Sequence, residues 1–229
     1  MGQFQHLYGK LSYRQKATGR ERGREFWSLT RNRDGTRTMR CLSMTDDSAF
    51  VRDATYTLGL DHRPADVFVR LQVADQFVGA GYFRVDGDQL HVVADGAAFG
   101  RAVQTLQVPR LFHIETHAVM LDGWFCWCLD LSQPGEQQVV HYNTSTRWNG
   151  IDGPLGRLEA ISATIIGDEQ IRVPAGTFQA THFRLTSGEK SIAPADLWVT
   201  GSDHLLVKYD WNEFGLEYIL ESLAPEGAS

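Results

Sequence analysis

Val67-Phe68-Val69-Arg70-Leu71-Gln72-Val73 carries the period that decides the fold. Val67, Val69, Leu71 and Val73 fall on one side of an extended chain, and Phe68, Arg70 and Gln72 on the other, because successive strand side chains point to opposite faces. A period of two with one apolar side marks a half-buried strand. Outward from this run, turn signals recur at short intervals: Asp34-Gly35, Asp86-Gly87, Asp95-Gly96, Asp122-Gly123, Pro134-Gly135, Asn149-Gly150, Gly167-Asp168, Ser187-Gly188 and Gly201-Ser202. Asp-Gly and Asn-Gly supply the positive φ angles that tight turns need. The segments between them are short and rich in Val, Ile, Thr, Phe, Tyr and Trp, a spacing that predicts an all-β sandwich or barrel.

Hairpins are expected over residues 24–44, turning at Asn32-Arg33-Asp34-Gly35, over 77–94, turning at Asp86-Gly87-Asp88, and over 111–131, turning at Leu121-Asp122-Gly123. Residues 97–107 read as a short helix, weakened by Gly100. Residues 150–156 are the best candidate for a seam, but no linker, repeat or low-complexity tract interrupts the chain. One domain over 1–229 is the expectation, at a length that β barrels often use as a single unit.

Hydrophobic residues make up 42% of the chain and charged residues 22%, which excludes a disordered composition. Met1-Gly2-Gln3-Phe4-Gln5-His6 lacks the basic start and apolar run of a secretory signal. No apolar stretch approaches the roughly 20 residues of a membrane-spanning helix. Cys41, Cys126 and Cys128 have no zinc-like spacing and read as reduced thiols, so a cytoplasmic location is expected. The net charge of −6 argues against a nucleic-acid partner. Residues 1–40 nevertheless hold ten basic side chains against three acidic ones. These fit the solvated outer face of an edge hairpin, or else a surface for an anionic partner or for an acidic face on a second subunit of a homodimer.

Val173-Pro174-Ala175-Gly176-Thr177-Phe178-Gln179-Ala180, then Asp196-Leu197-Trp198, then His204-Leu205-Leu206-Val207-Lys208-Tyr209, form a recognisable series. Over about residues 159–221 it resembles a bacterial calycin-like β-barrel domain family of uncharacterised function, in which V-P-A-G-T-F opens a hairpin and L-L-V-K marks a later strand. The resemblance implies an antiparallel meander closed or half-open like a calycin or lipocalin barrel, and brings no catalytic motif. Members of the family are usually exported, and this chain departs from them in lacking a signal and in its Arg-rich N-terminal half. Independently of the family, Pro174 fixes φ and Gly176 tolerates a turn. Phe183 and Leu185 are expected inward, with His182 and Arg184 outward.

Phe112-His113-Ile114-Glu115-Thr116-His117-Ala118-Val119 is the stretch richest in chemistry. On a strand, His113, Glu115 and His117 share a face. That face is either the solvated side of an antiparallel sheet or the wall of a pocket. Three groups spread over about 13 Å of straight strand cannot reach one metal ion, so no metal is expected. A carboxylate beside a histidine instead makes a proton-transfer pair. In Gly79-Ala80-Gly81-Tyr82-Phe83-Arg84, paired glycines inside a strand point to a bulge or to a close approach on the backbone. Tyr82 and Arg84 share a face, with His91 on the return strand beside them. Trp124, Trp127 and Trp148, with His141 and Tyr142, are either core or a stacking surface for an aromatic ligand.

No dinucleotide, Walker or nucleophile-elbow motif is present, and no cofactor is expected. Two readings follow. The first is a cofactor-independent lyase, isomerase or hydratase acting on a small aromatic or phenolic molecule. In it His113, Glu115, His117 and Tyr82 are catalytic, and Arg84, His91, Trp124, Trp127, His141, Tyr142 and Trp148 bind substrate. The second is a non-catalytic carrier or sensor of a small hydrophobic ligand. A third and weaker reading makes the basic hairpin an interaction module.

Overall fold

The computed structural model describes residues 4–187 and 194–225. The first strands form an up-and-down series: β1 (Gln5–Gln15), β2 (Glu21–Arg31), β3 (Arg37–Thr45), β4 (Phe50–Leu58), β5 (Pro64–Val73), β6 (Gln76–Asp86), β7 (Gln89–Gly96) and β8 (Gly100–Gln107). The short β9 (His113–Glu115) and helix α1 (Val119–Asp122) follow, the latter continued by a tight helical turn over Gly123–Cys128. A second series then runs through β10 (Glu136–Asn143), β11 (Arg157–Val173), β12 (Gly176–Ser187), β13 (Ala195–Thr200), β14 (Leu205–Trp211) and β15 (Leu216–Pro225). All fifteen strands belong to one sheet, in which β15 pairs with β1 and the ends are β8 and β9. The pairs are antiparallel except β9–β10, which is parallel. The fold is all-β and half-open.

The period read over residues 67–73 holds: Val67, Val69 and Leu71 are buried and Phe68 is exposed. The 24–44 and 77–94 hairpins also form, as β2–β3 and β6–β7. Residues 97–107 are a correction: β8 pairs along its length with β7, so ladder hydrogen bonds overrule a locally helical composition. Gly167-Asp168 is a second correction, because the register shift between Ile165 and Gly167 is a bulge within β11 and not a turn. The Val173–Gly176 turn opens β12 as expected. Gly188 of the expected Ser187-Gly188 turn lies outside the described residues. The basic N-terminal hairpin is interior to the sheet, not at its edge. Much of its charge is matched locally, with Arg22 on Asp47, Arg24 on Glu21 and Asp46, and both Arg31 and Arg37 on the buried Asp203.

The largest correction is residues 111–131. Only β9 is extended there. His117 takes a positive φ of 57°, and the chain turns inward as α1 and the following turn. Met120, Leu121, Trp124, Phe125 and Cys126 are all buried. The segment is thus an internal plug, packed against β2, β3 and β14. Burial on all sides explains its continuous apolar run. Between the two sheet ends, side chains replace a ladder: Tyr142 Oη donates to Gln104 Oε1 at 2.7 Å, and Gln104 Nε2 reaches the Gly156 carbonyl at 3.4 Å.

Candidate functional site

A cavity of about 830 Å³ opens beside the plug, within the range of small-molecule sites. Glu115, His117 and Asp122 line it, with Arg52 from β4, His141 and Asn143 from β10, and Tyr209 and Tyr218 from β14 and β15. Trp148 and Trp211 add aromatic surface, edge to face at 5.3 Å, and Phe214 stacks on Trp148 at 4.6 Å.

Glu25, on β2, fixes the plug. Its Oε2 accepts from Tyr13 Oη at 2.6 Å, Ser43 Oγ at 2.6 Å and the Val119 N–H at 2.9 Å, while Oε1 accepts from the Met120 N–H at 2.8 Å. Two N–H groups that the first turn of α1 leaves without helical partners are satisfied in this way. Asp122, at the other end of that turn, is thereby set in the cavity wall.

Arg52 ties the plug to the cavity rim. Its guanidinium donates to the carbonyls of His117, Asn149 and Gly150, the last two at 3.0 and 3.1 Å. Among the described residues it makes no ion pair within 4.0 Å. Gly150 must be glycine on two counts. Its φ is +68°, and a Cβ would come within 2.5 Å of Arg52 Nη2 and 2.6 Å of the His117 ring.

The turn at His117 folds its backbone N–H onto Glu115 Oε1 at 2.5 Å. His117 Nε2 lies 3.1 Å from Asn143 Oδ1. Asn143 Nδ2 donates to Glu159, which orients the amide and makes His117 Nε2 the protonated nitrogen. Burial, reinforced by Arg52, pushes His117 down to about 4, so the ring is neutral at pH 7 with Nδ1 as its basic atom.

The two carboxyls of the wall diverge. Burial, then the charges of Glu115 and Glu25, push Asp122 well above the usual carboxylate range. Burial also opposes charge on Glu115, but the surrounding His117, His113 and His141 and the His117 N–H outweigh it and hold Glu115 below its usual value. Asp122 Oδ1 is sealed from solvent without a well-formed hydrogen bond. At neutral pH the arrangement is a protonated Asp122 against an ionised Glu115, since two adjacent buried carboxyls resist double ionisation.

The expected site residues divide. Glu115, His117, His141 and Trp148 meet in the cavity. His113 does not; it is sealed behind the wall, stacked on Tyr56 at 5.6 Å, with Nε2 unpartnered. Tyr142 is a closure residue that also accepts the Gly156 N–H. Trp124 is core and donates to the Asp203 carbonyl, and Trp127 stacks between His62 and His204. Tyr82, Arg84 and His91 stand on the outer face of β6 and β7, Tyr82 being 46% exposed. The outer face puts them across the sheet from the cavity, a correction that follows from Phe83 taking the inward position. The glycines beside them serve both expected purposes: the pairing shifts between Leu71 and Gln72 opposite Gly79, and Pro154 packs on Gly79 and Gly81. Asp122, Arg52, Tyr209, Tyr218 and Asn143 were not anticipated. Asp122 read as a turn residue, and the others come from strands distant in sequence.

The architecture has a counterpart among solved structures. A β-barrel-like protein of domain of unknown function DUF1849 from Brucella abortus aligns with a TM-score of 0.55 and 12% identity, covering 96% of each chain. The chain shares that barrel-like fold. A DUF1089 family protein from Pseudomonas aeruginosa aligns at a TM-score of 0.48 and 13% identity, over 81% of this chain and 89% of that one. No family model and no curated protein matches the sequence. The likeness to uncharacterised bacterial barrels expected from residues 159–221 thus holds at the level of fold. Among the described residues no helix is long and apolar enough to cross a membrane.

Proposed function

We propose that the chain binds a small aromatic molecule in the 830 Å³ cavity and shifts a proton on it, as a lyase, isomerase or hydratase that needs no cofactor for the step. The observation that carries this reading is the Glu115–Asp122 pair, two cavity-wall carboxyls whose titrations are driven in opposite directions. Paired groups with divided protonation are the usual source of a base and an acid at one pH. Glu115 takes a proton from the bound molecule, and Asp122 gives its proton to the atom that gains negative charge. Return of the two protons at new positions restores the pair. His117, neutral and held by Asn143, orients Glu115 through its backbone N–H. Trp148 and Trp211 offer the aromatic surface, with Phe214 stacked behind Trp148.

The test is incubation with a panel of phenolic compounds in heavy water, followed by mass analysis of each compound. Deuterium uptake or a new product, abolished by Glu115→Gln with binding retained, is expected. A ligand bound and released with no exchange would instead support a carrier, the reading favoured if the carboxyl pair is only structural.

A further inference from the structure

Tyr13, Tyr218 and Tyr209 occupy one cross-strand row. Tyr13 pairs with Tyr218 across β1 and β15, and Tyr218 pairs with Tyr209 across β15 and β14. Residues in one such row point to the same face, and these rings touch: Tyr13 meets Tyr218 edge to face at 4.7 Å, and Tyr218 stacks on Tyr209 at 5.6 Å. All three line the cavity. The Tyr13 hydroxyl is committed to Glu25. Those of Tyr209 and Tyr218 have no hydrogen-bond partner among the described residues, and neither appears among the sealed polar atoms, so both are open to the cavity. Asp122 Oδ1, by contrast, is sealed behind the wall and is not presented to a ligand. Two unpartnered hydroxyls facing one cavity from neighbouring strands describe the complement of a ligand's acceptor.

We infer that Tyr209 and Tyr218 form an oxyanion-binding wall, and that the ligand of the cavity is a phenol held as its phenolate. This rests on the proton-transfer reading of Glu115 and adds the chemical class of the substrate. Two neutral O–H donors suit an anionic oxygen attached to a planar ring, and they would be poorly used by an ether or a hydrocarbon. Burial keeps both tyrosines neutral by raising them above their usual range. The phenol's O–H proton leaves to solvent as the anion binds, so Glu115 stays ionised and available as the base. The Arg52 guanidinium, without an ion-pair partner among the described residues, favours the anion through the cavity.

The experiment uses para-cyanophenol as probe, with para-cyanoanisole as the control that cannot ionise, at a pH well below the phenol's own pKa. The expected result is the phenolate absorption band on binding. Tyr209→Phe and Tyr218→Phe should each weaken the phenol by at least about tenfold, a hydrogen bond to a charged group being removed, and leave the anisole unchanged. A thermal melt of each variant reports folding, since Phe keeps the ring contacts. A bound phenol showing only its neutral spectrum, or equal losses for phenol and anisole, overturns the inference. Phenolate binding with no deuterium exchange or product from any phenol would leave this inference standing and remove the proton-transfer reading. Exchange on a non-phenolic compound, with para-cyanophenol bound neutral, would do the reverse.

Discussion

Replacing Glu25 by Gln is the sharpest test of how the cavity is held together. The side chain is fully buried and receives four donors, three on Oε2 and one on Oε1. The two backbone donors, Val119 and Met120, cannot become acceptors, whereas the two hydroxyls can rotate. A Gln amide placed with its oxygen at the Oε2 position keeps three bonds but turns an N–H₂ toward the Met120 N–H. One charge-assisted bond is lost and one buried N–H is orphaned, a cost of about 2–4 kcal/mol. For a chain of this length that corresponds to a fall in Tm of roughly 5–15 °C, on a total stability of about 5–15 kcal/mol. Urea unfolding followed by tryptophan fluorescence measures it. Ser43→Ala, which removes a single donor and leaves the carboxyl three, should cost only about 1 kcal/mol. A loss under about 0.5 kcal/mol for Glu25→Gln, within the range of ordinary surface changes, refutes the claim that this carboxyl anchors α1. Where folding survives, the same variant should weaken proton exchange, because Asp122 is placed by the turn that Glu25 holds.

Three further outcomes are expected. Burial holds His113 down to about 4, against about 6.5 when unfolded, so the unfolded chain takes up a proton that the folded chain refuses. Stability is therefore lost as pH falls from about 6.5 toward 4, by up to about 3 kcal/mol from this residue, and urea midpoints at both ends of that window for wild type and His113→Phe should show a shallower slope in the variant. Asp122 has the opposite sign for a carboxyl: its raised folded pKa costs stability as pH rises above the unfolded value near 3.9, so Asp122→Asn should gain stability at pH 8 more than at pH 4 while losing proton exchange. Equal melting shifts at the two pH values would count against a protonated Asp122. Gly79→Ala should cost about 1–3 kcal/mol, because its Cβ would sit 2.7 Å from Pro154 Cδ, and Pro154→Ala in the same chain should recover part of the loss.

The features legible in the sequence are those set by near neighbours. The alternation at Val67–Val73 is a property of one strand, and the Asp34-Gly35 and Asp86-Gly87 turns join strands that are consecutive and paired. Residues 97–107 read as helix because Ala, Gln and Leu favour helix locally, and only the pairing of Gly100–Gln107 with β7 decides against it. The plug was misread because Trp124, Trp127 and Asp122-Gly123 imitate a hairpin. The unbroken apolar stretch from Ala118 to Leu121 already departed from the alternation a half-solvated strand requires. Glu115 and His117 lie together in the cavity wall, but a turn and not a shared strand face brings them there, and their contact runs through the His117 backbone N–H.

The tyrosine row was illegible for a different reason. Tyr13 and Tyr218 are neighbours only through the β1–β15 seam, which joins the two ends of the chain. The pairing there shifts between Lys10 and Leu11, with Glu221 the extra residue on β15. A bulge of one residue reverses which side chains face inward beyond it. On the far side of that bulge Leu216, Tyr218 and Leu220 are buried, as Leu11 and Tyr13 are on β1. Tyr218 itself lies in the unshifted stretch, opposite Tyr13 on one side and Tyr209 on the other. The proposed phenolate-binding wall is thus readable only once three strands from the two ends of the chain are paired. Deleting Glu221 should leave phenolate binding intact where the barrel folds, because Lys10–Ser222 and Leu11–Leu220 then follow one another as a regular ladder; loss of binding in a folded deletion variant would show that the bulge, and not the pairing, sets the tyrosine row.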